Sequence, residues 1–165
     1  MKMLLVMRHG KAEEGAPRGD KVRVLVERGE REALMMGALM KEEGLELDGV
    51  VSSDAARARS TAEIAAKAAG FGGAIRFDAE IYGAGLDDLL GVVKGLPDDW
   101  RCVLLVGHNP GMEDLAMALA EEGADLVQLP TAGVARLELK RAKRWKEVRE
   151  GLGVLVEVYR PKDYR

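Results

Sequence analysis

Few residues in this 165-residue chain are suited to nucleophilic catalysis. It has two histidines, His9 and His108, and a single cysteine, Cys102. A neutral imidazole, with an unperturbed pKa near ~6.5, is a competent nucleophile at physiological pH. Arg8 directly precedes His9, and the planar guanidinium of arginine can donate two hydrogen bonds to two oxygens of one phosphate. These residue types together favour transfer of a phosphoryl group through a histidine.

A second arginine supports the same chemistry. Arg57 follows Ser52-Ser53-Asp54, with Ser53 as the expected N-cap of a helix over 54–69. A cation in the first turn of a helix is disfavoured by the helix dipole, whereas a bound anion there is favoured. Arg57 is therefore a candidate phosphate ligand. The alternative is an ordinary surface ion pair with Asp54 or another nearby acid.

The two histidines occupy matching places in the predicted topology. The apolar runs at 3–7 and 102–106 predict buried strands, and His9 and His108 each follow one of them. Ligands of open α/β sheets bind beyond the carboxyl ends of the strands, so we expect the two side chains to meet. The alternative for each is a structural histidine with its polar atoms satisfied.

The remaining pattern alternates strands with helices. Asn109 and Pro110 suit the N-cap and first residue of a helix over 110–122. Together the segments predict an α/β sandwich with a mixed sheet. The other helices are predicted over 30–43 and 86–94, the other strands over 50–52 and 74–77, and an antiparallel pair over 134–139 and 154–159.

Composition excludes several classes of protein. One cysteine rules out an intrachain disulfide framework. Two histidines leave little for a soft-metal site, although carboxylates could still hold a hard ion. No metal or cofactor is expected. A net charge of −3 with 4% aromatic residues argues against a nucleic-acid partner. No apolar run is long enough for a signal peptide or a membrane span. We expect a cytoplasmic protein with one domain over residues 1–165.

Three segments resemble the histidine phosphatase superfamily: Arg8-His9-Gly10, Arg57-Ala58 with Thr61-Ala62, and Gly107-His108-Asn109-Pro110. The stretch around Asp20, Arg23, Leu25 and Gly29 is similar to the compact bacterial phosphohistidine phosphatases within it. The resemblance implies a three-layer α/β/α sandwich around a mostly parallel mixed sheet. It also implies His9 as the phosphorylated nucleophile, with Arg8, Arg57 and His108 binding phosphate and Asn109 as a further substrate ligand.

The general acid is where this sequence departs from the family. Many members carry a glutamate at a position that aligns here with Gly83. Glu80 is the nearest candidate general acid, and the alternative is a solvated carboxylate in a loop. A site without a positioned acid suits a phosphoramidate better than an unactivated ester, because an imidazole leaves more readily than an alkoxide.

The sequence therefore predicts a metal-independent phosphatase, acting on phosphohistidine in a protein. Two alternatives stay open: a phosphatase for small phosphomonoesters, whose partner is a phosphorylated metabolite, and a non-catalytic phosphate-binding module. The basic stretch at 140–149 is interpreted either as a docking patch for an acidic partner or as a hairpin connection whose Trp145 folds onto the core.

Overall fold

One six-stranded mixed sheet forms the centre of the molecule. The computed structural model describes residues 1–125 and 128–165. The strands are β1 (Lys2–Arg8), β2 (Gly49–Ser52), β3 (Arg76–Phe77), β4 (Cys102–Gly107), β5 (Val134–Leu139) and β6 (Val154–Tyr159). Their order across the sheet is β3-β2-β4-β1-β5-β6. The first four are parallel, and β5 and β6 are antiparallel to their neighbours, so the predicted mostly parallel mixed sheet is confirmed.

Helices cover both faces of this sheet. They are α1 (Glu27–Glu42), α2 (Ala56–Ala68), α3 (Leu86–Lys94) and α4 (Gly111–Leu119). Among the described residues, none of the helices combines the length and the apolar character needed to cross a membrane.

The alternation of side chains along β1 separates two apolar cores. Leu5 and Met7 pack against residues of α1 and α2, whereas Leu4 and Val6 pack against residues of α3 and α4. Successive side chains of a strand point to opposite faces, so one wholly apolar strand serves both cores. The predicted three-layer α/β/α sandwich is confirmed.

Several element boundaries differ from the predictions, and each difference has a local cause. Helix α2 begins at Ala56 rather than at 54, and its N-cap is Ala55, so the prediction of Ser53 as the N-cap was wrong. The Ser53 hydroxyl instead contacts His108. Helix α4 ends at Leu119 rather than at 122, because Ala120 leaves the helix to form a bridge with Gly153.

Helices α1 and α2 approach each other closely through small residues. A Cβ built at Gly37 of α1 would lie 2.2 Å from the Ala65 carbonyl oxygen and 2.8 Å from the Ala68 Cβ. Only glycine fits at such a crossing. This contact fixes α2, and with it Arg57, against the sheet.

The basic stretch at 140–149 lies at the sheet edge opposite His9. Strand β5 runs antiparallel to β1, with Val134 beside Met7 and Leu139 beside Lys2, so the chain after Leu139 leaves at the opposite edge. Trp145 is fully buried, and its indole N–H donates to the Trp100 carbonyl over 2.9 Å. The interpretation that Trp145 folds onto the core is confirmed.

Candidate functional site

Strand register brings the two histidines together. Strands β1 and β4 pair in parallel with Arg8 opposite Gly107, so His9 and His108 each follow a paired residue at the same sheet edge. The His9 amide donates to the Gly107 carbonyl over 3.0 Å. The two imidazole centroids lie 5.2 Å apart, as the matching positions in the sequence predict.

The contacts of His9 define its tautomer. Its Nδ1 lies 2.8 Å from the Gly10 carbonyl oxygen, which can only accept, so Nδ1 carries the proton. The Nε2 atom accepts from the Nε–H of Arg57 over 3.3 Å and so presents its lone pair on the side of that arginine. Burial, together with the positive charges of Arg57 and Arg8, lowers the His9 pKa to about 4. His9 is therefore a neutral imidazole with an unprotonated Nε2.

A chain of three contacts holds the His9 loop in place. The Gly10 amide donates to Thr61 Oγ1 over 2.9 Å, and the Thr61 hydroxyl donates to the Arg57 carbonyl over 2.7 Å. A Cβ at Gly10 would lie 2.9 Å from the Gly29 carbonyl oxygen of α1. Gly10 and Thr61 thus connect the loop after β1 to both helices on that face.

Arg57 is a buried cation whose donors all point to the site. It is 5% exposed, and beyond its contact with His9 it donates from Nη1 to the Asp20 main-chain carbonyl over 2.8 Å and from Nη2 to Asp20 Oδ2 over 3.0 Å. The alternative was a surface ion pair with Asp54 or another nearby acid. Arg57 does pair with an acid, Asp20, but its own side chain is buried, and Asp54 pairs with Lys21 at 3.0 Å instead. Arg57 belongs to the site rather than to the surface.

His108 offers a nitrogen without a partner. Its Nε2 lies 2.8 Å from Ser53 Oγ, which already accepts from the Ala55 amide over 3.2 Å. The Ser53 hydroxyl can donate to Nε2, and in that arrangement the proton of a neutral His108 lies on Nδ1. That Nδ1 is buried without a hydrogen-bond partner among the described residues. Burial, the neighbouring His9 and Arg57 lower the His108 pKa to about 3.

Arg8 and Asn109 meet at the segment before β5. Arg8 donates from Nη1 to the Leu129 carbonyl over 3.1 Å, while its Nε is buried without a partner among the described residues. The Asn109 amide donates to that same carbonyl over 3.0 Å and to Glu113 Oε1 over 2.9 Å. Both Asn109 hydrogens are thus used within the protein. The prediction of Asn109 as the N-cap of α4 was wrong, because Pro110 is the N-cap and the helix begins at Gly111. The Asn109 Oδ1 still accepts from the Glu113 amide over 3.3 Å.

The structure adds two residues that the sequence reasoning missed, Asp20 and Tyr82. Asp20 lies in a short 3₁₀ turn (Asp20–Val22), half exposed, and its Oδ2 accepts from the Tyr82 hydroxyl over 2.6 Å as well as from Arg57. These two hydrogen bonds lower the Asp20 pKa to about 2. The Tyr82 ring stands edge-on to His108, with centroids 5.4 Å apart. A carboxylate therefore does reach the site, from a segment not considered for this role.

Glu80 lies away from these contacts. It stands exposed in the 3₁₀ turn Ala79–Ile81, beside a groove shared with Gly91 and Leu96 of the α3 region. No contact joins its side chain to either histidine among the described residues. Its role as the general acid stays a prediction. Within residues 1–125 and 128–165, no three histidine, cysteine, aspartate or glutamate side chains are grouped to hold a metal ion.

The comparisons with known proteins agree with this geometry. The family model of the histidine phosphatase superfamily (branch 1) matches residues 4–83, which include the segments of His9 and Arg57. An uncharacterized protein of Mycobacterium tuberculosis, Rv1276c, is 30% identical over 164 residues, which cover 94% of this chain and all of the relative.

Solved structures extend the likeness across the chain. SixA of Nakamurella multipartitia, assigned as a phosphohistidine phosphatase, is 30% identical with a TM-score of 0.82 and covers 97% of this chain and 96% of its own. The protein histidine phosphatase SixA in complex with tungstate shares the fold, with a TM-score of 0.84 at 21% identity over 99% of both chains. This chain therefore belongs to the histidine phosphatase superfamily, and within it the chain is similar to the compact SixA-type members.

Proposed function

We propose that this protein is a metal-independent phosphatase that forms a phosphohistidine on His9 and removes phosphate from phosphohistidine in a protein. Membership of the superfamily supports phosphatase activity in general terms. The observation that carries the proposal is the state of His9: a buried, neutral imidazole whose Nε2 accepts from Arg57 and whose ring centroid lies 5.2 Å from that of His108.

The surrounding donors fit an incoming phosphoryl group. The Arg8 Nε–H group and the His108 Nδ1 nitrogen are buried without partners among the described residues, and Nδ1 is a second donor when the Ser53 hydroxyl donates to Nε2. An unsatisfied buried donor is costly. Phosphate oxygens would satisfy both, and the Arg57 guanidinium would exchange His9 and Asp20 for the same oxygens. Fixed donors of this kind stabilise the charge that spreads over the equatorial oxygens in the transition state.

The reaction then proceeds in two displacements. The Nε2 lone pair of His9 forms a bond to phosphorus as the bond to the leaving atom breaks, and the bonding electron pair stays on that atom. Water attacks phosphorus in the second step, the N–P bond breaks, and its electron pair returns to Nε2 while inorganic phosphate departs. Protons exchange with solvent, so the cycle consumes one water molecule and needs no metal.

The choice of a phosphohistidine substrate depends on the leaving group. A phosphoramidate nitrogen can be protonated before the bond breaks, whereas an alkoxide needs an acid during departure. The carboxylate that reaches the site, Asp20, has a pKa of about 2 and is a poor proton donor at neutral pH. Glu80 makes no described contact with the site. Both facts favour a substrate that does not depend on a protein acid.

Trapping the phosphoenzyme tests the mechanism. The protein is mixed with a ³²P-labelled phosphohistidine protein, quenched in alkali, and assayed for acid-labile, alkali-stable label. Because the chain has only two histidines, His9→Ala and His108→Ala form a matched pair. We expect label in the wild type and in His108→Ala, and none in His9→Ala. Equal label in His9→Ala would remove His9 as the nucleophile.

A substrate panel tests the specificity. The ratio kcat/KM is measured for a phosphohistidine protein and for small phosphomonoesters, with Glu80→Gln beside the wild type. We expect the phosphohistidine protein to be preferred and Glu80→Gln to keep the wild-type rate on it. A strong preference for the monoesters, with loss of that activity in Glu80→Gln, would favour the small-molecule alternative and Glu80 as its acid. No turnover of any substrate would favour the binding module.

A further inference from the structure

A basic cleft adjoins the candidate site on the side of Arg8. It has a volume of about 550 Å³. Its walls are α1, the segment before β5 (residues 128–131) and the C-terminal turn (Pro161–Asp163). Its charged lining consists of Arg28, Glu32, Glu113, Arg160, Lys162 and Arg165. Four cations and two carboxylates give this cleft a positive balance, although the whole chain carries a net charge of −3.

Two of the four cations are committed within the protein. The buried Glu32 carboxylate pairs with Arg165 at 2.9 Å and with Arg28 at 3.5 Å. This arrangement ties the end of the chain to α1. The two arginine side chains nevertheless remain 52% and 55% exposed, so each still presents donors to the cleft.

The other two cations have no ion-pair partner. Neither Arg160 nor Lys162 forms an ion pair or a side-chain hydrogen bond with any residue in the described ranges, and the two flank the buried Pro161 of the C-terminal turn. The second carboxylate of the cleft, Glu113, is already held by the Leu129 amide at 2.8 Å and by Asn109. The cleft therefore presents unpaired positive charge to a ligand.

The cleft is joined to the site through shared backbone. Leu129, which lines the cleft, accepts from Arg8 through its carbonyl, and the Ala132 amide just beyond the cleft donates to the Arg8 and His9 carbonyls. Arg8 thus contacts the cleft wall with Nη1 and leaves Nε without a partner among the described residues. In the proposed mechanism a phosphoryl group bound at Arg8 would lie next to the cleft that Arg160 and Lys162 line.

We propose that this basic cleft binds an acidic segment of the substrate protein, placed beside its phosphohistidine. This inference rests on the proposed function. The cations come from two parts of the chain, Arg28 from α1 and the others from residues 160–165. All except the half-buried Arg160 are exposed, which matches carboxylates spread along a peptide. A second phosphate on a small molecule would instead call for donors that converge on one point and are buried, and the cleft has none among its described cations.

Binding measurements on the inactive His9→Ala protein test the cleft without using catalysis. The probe is a fluorescein-labelled decapeptide with four glutamates and no phosphate, and its matched control carries glutamine at those four positions. We expect the glutamate peptide to bind and the glutamine peptide to bind at least about fivefold more weakly, with the difference shrinking as salt is added. Equal binding of the two peptides would overturn the proposal.

Charge-matched variants locate the binding site. Arg160→Ala with Lys162→Ala removes the two unpaired cations, whereas Lys143→Ala with Lys146→Ala removes two exposed cations at the opposite sheet edge. We expect the first pair to weaken glutamate-peptide binding about fivefold and the second to change it by less than about twofold. Equal weakening by both pairs would show general attraction to charge and would overturn the cleft assignment.

A competition experiment separates the two possible sources of the anion. Hexane-1,6-diol bisphosphate and hexyl monophosphate are each titrated against the bound glutamate peptide. The bisphosphate would overturn the peptide proposal if it displaced the peptide at concentrations far below those at which unlabelled glutamate peptide and hexyl monophosphate do so. That result would assign the cleft to a second phosphate. Failure of the phosphoenzyme experiment with intact, cleft-dependent peptide binding would instead overturn the proposed function alone.

Discussion

The two histidines should make the stability of this protein strongly dependent on pH between 5 and 8. Their pKa values in the folded chain are about 4 for His9 and about 3 for His108, against an ordinary value of 6.5. An unfolded chain therefore takes up protons on both residues as the pH falls through 6.5, while the folded chain does not. Unfolding is then coupled to proton uptake, and stability is lost as the pH falls.

The size of the loss follows from the ordinary pKa rather than from the exact folded values. When the folded pKa lies below 5, each histidine lowers the free energy of unfolding by about 1.36 kcal/mol for every pH unit between 6.5 and 5. The loss per histidine is therefore about 2 kcal/mol. The two together predict a loss of about 4 kcal/mol between pH 8 and pH 5. Asp20 adds nothing here, because its pKa change from 3.8 to about 2 acts only at lower pH.

Urea unfolding at pH 8 and pH 5 measures this loss directly. The buffers must be free of phosphate, because an anion in the site would stabilise the folded state by mass action. The wild type is compared with His9→Gln, His108→Gln and the double variant. For each protein, the quantity compared is the change in the free energy of unfolding between pH 8 and pH 5. Each single variant should lose about 2 kcal/mol less than the wild type over this pH range, and the double variant should be nearly flat. A wild-type loss matched by the double variant would refute the coupling to these histidines.

Three further predictions concern the residues around the site. In Asp20→Asn, Arg57 no longer has a competing carboxylate, so inhibition by tungstate should strengthen by about threefold or more; a weaker inhibition would show that Asp20 mainly orients Arg57. Thr61→Val leaves the buried Gly10 amide without its acceptor, so urea unfolding should report a loss of about 1–3 kcal/mol, with kcat falling more than KM changes. Gly37→Ala places a Cβ 2.2 Å from a carbonyl oxygen and should cost at least about 2 kcal/mol, whereas Gly91→Ala in α3 has open space and should be neutral or stabilising by up to about 1 kcal/mol.

Local pattern was sufficient to predict most of the fold. The apolar run of β1 and the run of β4 are buried on both faces, and such runs are distinct in a sequence with 32% charged residues. The meeting of His9 and His108 followed from a topological rule, since both stand where neighbouring parallel strands end. The predicted strand over 74–77 is too long, since β3 has only two residues. Its length is set by its pairing with β2, at Val51 and Ser52, which its own residues do not indicate.

The sequence did not reveal the carboxylate of the site, and the reason is distance along the chain. Asp20 stands 37 positions from Arg57 and Tyr82 stands 62 positions from Asp20, so no local periodicity connects them. Asp20 lies in a segment with little regular structure, where solvated acids are common. The family's acid position aligns with Gly83, three residues from Glu80, whereas the side chain that reaches Asp20 belongs to the neighbouring Tyr82.

Asp20 and His9 are hydrogen-bond partners of Arg57 that an arriving phosphate would have to replace. In the structure the guanidinium donates from Nε to His9 Nε2 and from both terminal nitrogens to Asp20. In the proposed mechanism the Nε2 lone pair would become available when Arg57 turns to the phosphate, because phosphate oxygens carry more charge than a neutral imidazole. Arg57 would thereby couple substrate binding to the exposure of the lone pair, and Asp20 would set the affinity that a substrate anion must exceed.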